Sequence, residues 1–416
     1  MAKEHAPIQI GLPDEPKWRV VEPMATALVA FLASDAPPDP GEVFVAAGRA
    51  FGGEPSEVEP LPIDDERVPW GFACRVPGRE ARVLIWCERA DPDHAPDPSA
   101  RDARWVLSLE TLLDGDRPVE DFACLLDAMR AAAGASLRLL LDPALGAAWR
   151  AAELDGLLAA RGALLDERQL YRIEVFSRGP ESAYWLATVG LARVARPELE
   201  MLEVPAANLR EALELVDALA ARFVTETPPH AGVAFEAGPA LEVALVPARE
   251  VAETVSPANP GGIADRRGDP AQPRAAICAP APRGAFRAVW GPPLDALAAL
   301  ADGARALVLA PRVARVRERL ARATYAEFVA ALPEVRAAGA RAFVRVAPDA
   351  GEHLWIAVET ADASGGRGLV VAAGESPHAF RADEVVDWRI EGLRPRLPVA
   401  GPAEAQLLRA RGESPA

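Results

Sequence analysis

Glu352, His353 and Asp387 are the residues of this sequence whose types and spacing could do acid–base chemistry. They stand in Gly351-Glu352-His353-Leu354-Trp355-Ile356-Ala357-Val358-Glu359 and, beyond Gly365-Gly366-Arg367-Gly368, in Val386-Asp387-Trp388. A carboxylate hydrogen-bonded to an imidazole orients the ring, so Asp387 on His353 would make a general base or a lone metal ligand. Strand alternation limits the set. Glu352 points with Leu354 and Ile356, and His353 points with Trp355 and Ala357 on the opposite face, unless Glu352 lies in the turn before the strand. The plainer reading has His353 and Trp355 covering an open sheet face, with Asp387 bonded to the imidazole or capping a turn. In a binding protein, His353, Trp355 and Trp388 would form the ligand or partner surface, because aromatic side chains exposed together mark contact sites.

Other charged groupings are weaker. Glu198 and Glu200 sit at i and i+2 and could share a face to hold a hard cation; an exposed edge strand with solvated carboxylates explains them equally well. Arg315, Arg317, Arg319 and Arg322 spread around a helix and are diluted by Glu318 and Glu327, which reads as solvated surface. His378, after Ser376-Pro377, reads as a loop residue.

Several chemistries lack their motifs. Lys3 and Lys17 are the only lysines and neither follows a glycine-rich phosphate loop. Gly365-Gly366-Arg367-Gly368 joins two strands instead of opening a helix, which excludes a dinucleotide fingerprint. No serine occupies a G-x-S-x-G elbow, and the five histidines form no H-E-x-x-H. Cys74, Cys87, Cys124 and Cys278 are isolated, so buried free thiols are expected, with neither a zinc framework nor a redox pair. No cofactor or metal is expected.

The formal net charge is −16, which disfavours nucleic acid and anionic membrane as partners. The best candidate for a span, Ala25 to Ala33, falls short of the roughly 20 residues a membrane span needs. The start, Met1-Ala2-Lys3-Glu4-His5-Ala6-Pro7, lacks the layout of a secretory signal, so a cytoplasmic location is expected. Arginine far outnumbers lysine, and alanine and proline are abundant, as in a GC-rich bacterial genome.

These candidates must be positioned by the elements that turn formers and periodicity delimit. With 416 residues, half of them apolar, the chain is long enough for two domains. Ser256-Pro257-Ala258-Asn259-Pro260-Gly261-Gly262 and the stretch from Asp269-Pro270 to Pro282 predict a linker over 256–284. This divides the chain into an N-terminal domain over 1–255, a C-terminal module over 285–396 and a tail over 397–416.

Upstream, strands are expected at Met24 to Ala33, Trp70 to Val76 with Arg82 to Cys87 as a hairpin, Trp105 to Leu109 and Ser136 to Leu141. Further strands are expected at Gln169 to Phe176, Tyr184 to Thr188, Glu198 to Val204 and Leu241 to Val246. The hairpin turns at Pro77-Gly78 and pairs Cys74 with a residue near Val83. Helices are expected at Pro40 to Ala50, after Asp116 as a cap with Phe122, Leu125, Leu126 and Met129 on one stripe, and at Leu145 to Ala160. Another begins at Asn208, with Glu211 completing a cap-like start.

Downstream, Leu294 to Ala301 is a short helix, and the helix from Val313 breaks near Thr324, where Thr324 and Glu327 form a capping box. Strands follow at Ala342 to Val346, His353 to Glu359 and Gly368 to Val371. The fold class expected is α+β: two domains of mixed or antiparallel sheet with helices packed on one face.

The helix with Tyr325 and Phe328, Phe343-Val344-Arg345-Val346, Glu352-His353-Leu354-Trp355-Ile356, the Gly368 strand and Asp387-Trp388 together resemble the YegJ-like bacterial domain of unknown function, over about 315–392. Trp185-Leu186-Ala187-Thr188-Val189-Gly190-Leu191 and Pro197-Glu198-Leu199-Glu200 resemble the domain of unknown function that sometimes precedes it. Neither resemblance implies an activity. A non-catalytic binding or interaction protein, with a protein or small-molecule partner, is the favoured expectation; the alternative is a hydrolase or metal-assisted enzyme using His353 and Asp387.

Overall fold

The computed structural model describes residue 18 and residues 23–91, 95–159, 165–266, 273–281, 290–301, 307–339, 342–346, 354–373 and 385–389. For residues 159, 320, 354, 355, 371–373 and 385–389 it describes the backbone alone. The chain is α+β and divides into two compact units. One comprises Met1–Arg150, Leu170–Ala301 and Arg305–Val308, the other Ala151–Gln169, Asp302–Ala304 and Leu309–Ala416.

The first unit begins with β1 (Thr26–Leu32) and α1 (Pro40–Phe51). Pro40 occupies the first helical turn, where its missing N–H is no loss; Asp39 accepts the Glu42 N–H at 3.1 Å. Next come β2 (Ser56–Pro60), β3 (Trp70–Arg75), β4 (Val83–Arg89), β5 (Trp105–Thr111), α2 (Pro118–Ala133), β6 (Leu137–Asp142) and β7 (Ala147–Arg150). These strands form a seven-stranded antiparallel sheet in the order β2-β3-β4-β5-β1-β6-β7. Leu28, Ala30 and Leu32 alternate inward and are fully buried, and α2 packs along β1 and β6 through the expected stripe of Phe122, Leu125, Leu126 and Met129. The hairpin register pairs Cys74 with Val83, as the Pro77-Gly78 turn predicts.

Two details depart from expectation. Asp116 does not cap α2: the capping position is Arg117, with no side-chain bond, and Asp121 instead accepts the Asp114 N–H at 2.9 Å. The residues predicted as one helix over 145–160 split into β7 and α3 (Ala151–Ala159). β6 offers a free edge there, and Ala147 to Arg150 alternate half-buried with exposed, the period of a strand.

The same unit continues with β8 (Arg172–Phe176), β9 (Tyr184–Val189), β10 (Glu198–Val204), α4 (Leu209–Thr225), β11 (Ala234–Gly238), β12 (Leu241–Pro247), α5 (Ala248–Ala252), β13 (Arg274–Cys278) and α6 (Leu294–Ala301). The sheet order is β11-β12-β13-β10-β9-β8, antiparallel except for the parallel pair β10 and β13. Leu202, Val246, Ala276 and Cys278 pack with Val251 and Val255 around α5, while α4 runs along β8, β9, β10 and β11. Asn208 makes no side-chain cap on α4, and Glu211 is buried instead of reaching back to it.

β13 falls inside the stretch predicted as a linker over 256–284. Its Ala275, Ala276, Ile277 and Cys278 are all buried between β10 and β12. The proline-free, apolar run Ala275 to Cys278 gains a two-sided hydrogen-bonded slot, which outweighs the turn formers on either side. The division into units accordingly runs through neither 255 nor 285.

The second unit holds α3, then α7 (Pro311–Ala323), α8 (Tyr325–Ala337), β14 (Phe343–Val346), β15 (Leu354–Asp362), β16 (Gly365–Ala373) and β17 (Val385–Arg389). The helix breaks at Thr324 as expected, without a side-chain cap. β14 to β17 form an antiparallel meander in chain order. Tyr325, Phe328 and Leu332 of α8 cover Val344, Val346, Ile356 and Val358. The Tyr325 hydroxyl donates to the Gly365 carbonyl at 2.8 Å. Gly365 and Gly366, expected in a turn, are strand residues, and Gly368 lies in a strand as expected; the turn lies at Ala363-Ser364. A Cβ on Gly368 would come 2.1 Å from the Ala357 carbonyl oxygen, so only glycine lets the two strands approach.

Candidate functional site

Glu352, His353 and His378 lie outside the described residues. Trp355, Asp387 and Trp388 are placed by backbone only: Trp355 pairs with Arg345 and Ala372, Asp387 with Arg367, and Trp388 with Gly366. Arg367 in turn faces Thr360, six residues along β15 from Leu354. At about 3.3 Å per residue, Asp387 is level with a point roughly 20 Å from Leu354 along the strand. The arginines of α7 divide: Arg315 and Arg319 are exposed, Arg317 is half-buried, and Arg322 pairs with Glu318 at 2.8 Å.

The chemically richest described cluster is on the six-stranded sheet. Glu198 and Glu200 were the candidates for an exposed edge, but β10 is an interior strand and both are buried, Glu200 completely. Burial obliges each carboxylate to find donors. Glu198 receives the Thr188 hydroxyl at 2.7 Å and the N–H groups of Gly190 at 2.8 Å and Ala192 at 3.2 Å. It thereby holds the short helical turn Leu191–Val194 against the strand.

Glu200 is met by two guanidinium groups. Arg266 donates from Nη1 to Oε1 at 3.1 Å and from Nη2 to Oε2 at 2.6 Å, and Arg274 donates from Nη1 to Oε1 at 3.0 Å. The Arg266 guanidinium lies 5.8 Å from the centre of the Trp185 ring, which stacks on Phe176 at 4.5 Å. Exposure grades outward through the triad, from 0% at Glu200 to 18% at Arg266 and 38% at Arg274.

Residues 256–266 form an ordered loop fastened to this face. Asn259 donates to Glu203 at 2.9 Å and accepts the Ala183 N–H at 3.0 Å, while Asp265 pairs with Arg178 at 2.6 Å. Burial pushes the Asp265 carboxyl up, and bonds from Arg178 and the Gly261 N–H outweigh it, leaving it below the ordinary carboxylate range. Gly261 has φ +94, and a Cβ there would stand 2.3 Å from Leu202 Cδ2 and 2.9 Å from Trp185 Cγ.

Residues 173–278 match the family model described as protein of unknown function (DUF4026) C-terminal. No curated protein and no solved structure matches the chain. The DUF4026 C-terminal match runs from the second residue of β8 to the last of β13, so its bounds are those of the six-stranded sheet. It contains Trp185 to Leu191 and Pro197 to Glu200, which carry the N-terminal resemblance to a domain of unknown function, and it stops before the YegJ-like stretch.

Within the DUF4026 C-terminal match, Glu198 and Glu200 act as hydrogen-bond acceptors in fixed networks, which suits positioning and recognition more than proton transfer. Among the described residues no three His, Cys, Asp or Glu side chains group as metal ligands, and no helix is long and apolar enough to cross a membrane. Arg266 and Arg274 were not foreseen. Glu200 alternates with Leu199 and Met201, a pattern that puts the carboxylate on one sheet face, but nothing in its neighbourhood announces cationic partners 66 and 74 positions away.

Proposed function

We propose that this chain is a non-catalytic bacterial cytoplasmic binding protein that presents a surface of the DUF4026 C-terminal match to a protein or small-molecule partner. The observation that carries this reading is the Arg266–Glu200–Arg274 triad beside the Phe176–Trp185 stack. Arginine and tryptophan supply most of the strong contacts in recognition surfaces, because planar guanidinium and indole groups offer large contact area with directed donors. The carboxylates of the cluster are already engaged as acceptors, which supports recognition over general-base work. The net charge of −16 accords with a protein that avoids nucleic acid and anionic membrane.

The test pairs two measurements on the full chain. Affinity capture followed by reconstitution from purified components is expected to return a stoichiometric complex, and hydrolysis of nitrophenyl esters and phosphates is expected to be unaffected by His353→Ala. Turnover abolished by His353→Ala, with no complex formed, would overturn the reading.

A further inference from the structure

We propose that the Arg266–Glu200–Arg274 triad is a receptor for an oxyanion, a carboxylate or phosphate group, bound where the two guanidinium groups converge on Glu200. The inference deepens the binding reading and rests on it. Two guanidinium groups share one carboxylate, so the triad carries a surplus positive charge, in a chain whose formal net charge is −16. The surplus sits at the outer end, because Glu200 is fully buried and Arg274 is the most exposed member at 38%.

The donors also outnumber the acceptors. Arg274 donates through Nη1 to Glu200, and among the described residues its Nε and Nη2 have no hydrogen-bond acceptor. Arg266 Nε and Trp185 Nε1 are buried polar atoms without a hydrogen-bond partner. The ring and the guanidinium that carry them lie 5.8 Å apart. Orphaned buried donors are rare in folded proteins because each carries an uncompensated desolvation cost. A planar or tetrahedral oxyanion fits, since a guanidinium donates to two of its oxygens in parallel. Glu200 pins both arginines in advance, so that little side-chain entropy is lost when the anion arrives.

The experiment follows the melting temperature of the full chain against sodium phosphate, and separately against a hexaglutamate peptide, with ionic strength held constant by sodium chloride. A ligand that binds only the folded state raises Tm with the logarithm of its concentration once that exceeds Kd. Expected is such a logarithmic rise with at least one probe, its onset moved about tenfold or more to higher concentration by Arg274→Gln. Trp185→Phe, which keeps the stack on Phe176 and removes the indole N–H, is expected to weaken binding of the same probe. A response to phosphate alone assigns a small-molecule anion, and a response to hexaglutamate alone assigns an acidic protein segment. No rise with either probe overturns the proposal, as does a rise that both variants leave unchanged. If Arg274→Gln does not fold, Trp185→Phe and Arg274→Lys decide by the same criteria. A negative result leaves the capture and reconstitution experiment intact, so failure of the receptor and failure of the binding reading are separable.

Discussion

Arg193 and Asp142 form a two-pronged ion pair from which water is excluded. Both side chains are 0% exposed; Nη1 donates to Oδ2 at 2.7 Å and Nη2 donates to Oδ1. Asp142 ends β6 of the seven-stranded sheet and Arg193 lies in the turn after β9 of the six-stranded sheet, so one pair ties together the two sheets of the first unit. Arg193→Met leaves a buried carboxylate without its cation and is expected to cost about 3–5 kcal/mol in urea unfolding. Replacing both partners, as Arg193→Met with Asp142→Leu, is expected to cost less than the sum of the single changes; additive costs would show that the pair is not coupled.

Gly261→Ala tests the loop over Trp185. Both the left-handed φ of +94 and the 2.3 Å approach to Leu202 penalise a Cβ, and neither neighbour is an exposed flexible chain end. A loss of roughly 1–3 kcal/mol is expected in denaturant unfolding, accompanied by a change in tryptophan fluorescence as the indole loses its cover.

Burial pushes the Cys87 and Cys278 thiols up to about 12, against an ordinary value of 9.0. Their folded values lie above the unfolded one. The stabilisation from keeping them protonated is therefore complete below about 9 and is lost as pH rises toward 12. Native protein at pH 8 is expected to leave both unmodified by iodoacetamide, while urea-unfolded protein reacts at all four cysteines; rapid native labelling of Cys278 would contradict its placement inside β13.

Tyr325→Phe removes a buried hydroxyl that donates to the Gly365 carbonyl and whose own ionisation burial pushes up to about 12. The ring still packs on Phe328, at 5.9 Å between centroids. The expected loss is about 1 kcal/mol, read as an earlier unfolding midpoint with an unchanged slope.

Residues 151–169 belong to the second unit, where Glu167 stands 3.7 Å from Arg312 and Leu154 and Leu165 are fully or almost fully buried. A fragment starting at residue 285 lacks this segment. It is expected to unfold without a sharp transition, and co-expression of residues 151–169 is expected to restore one. A fragment that melts cooperatively by itself would refute the assignment.

Much of the fold was legible because its signals are local. The stripe Phe122, Leu125, Leu126 and Met129 marks α2 within a few turns, and Pro77-Gly78 sets the Cys74 to Val83 register by the geometry of one hairpin. Glu198 to Val204 and Leu294 to Ala301 coincide with their predicted bounds. β7 and β13 were misread because each is short and owes its strand conformation to a neighbour: β7 to the edge of β6, β13 to the slot between β10 and β12. The caps at Asn208 and Thr324 had the right residue types, yet neither side chain makes the bond, since Glu211 is drawn into the interior and Thr324 is itself the break.

Composition, periodicity and turn chemistry thus sufficed for the α+β class, for most strands and helices, and for alternation that aligns Glu198 with Glu200. They act over a few residues, where backbone geometry leaves few options. The fate of those carboxylates depended on tertiary contacts. A charge read from sequence is solvated or buried according to what packs above it, and for Glu200 that cover comes from Arg266 in a Pro/Gly-rich loop and Arg274 at the head of a strand. Chain folding brings those groups together across 66 and 74 positions, and no local rule records so distant a partner.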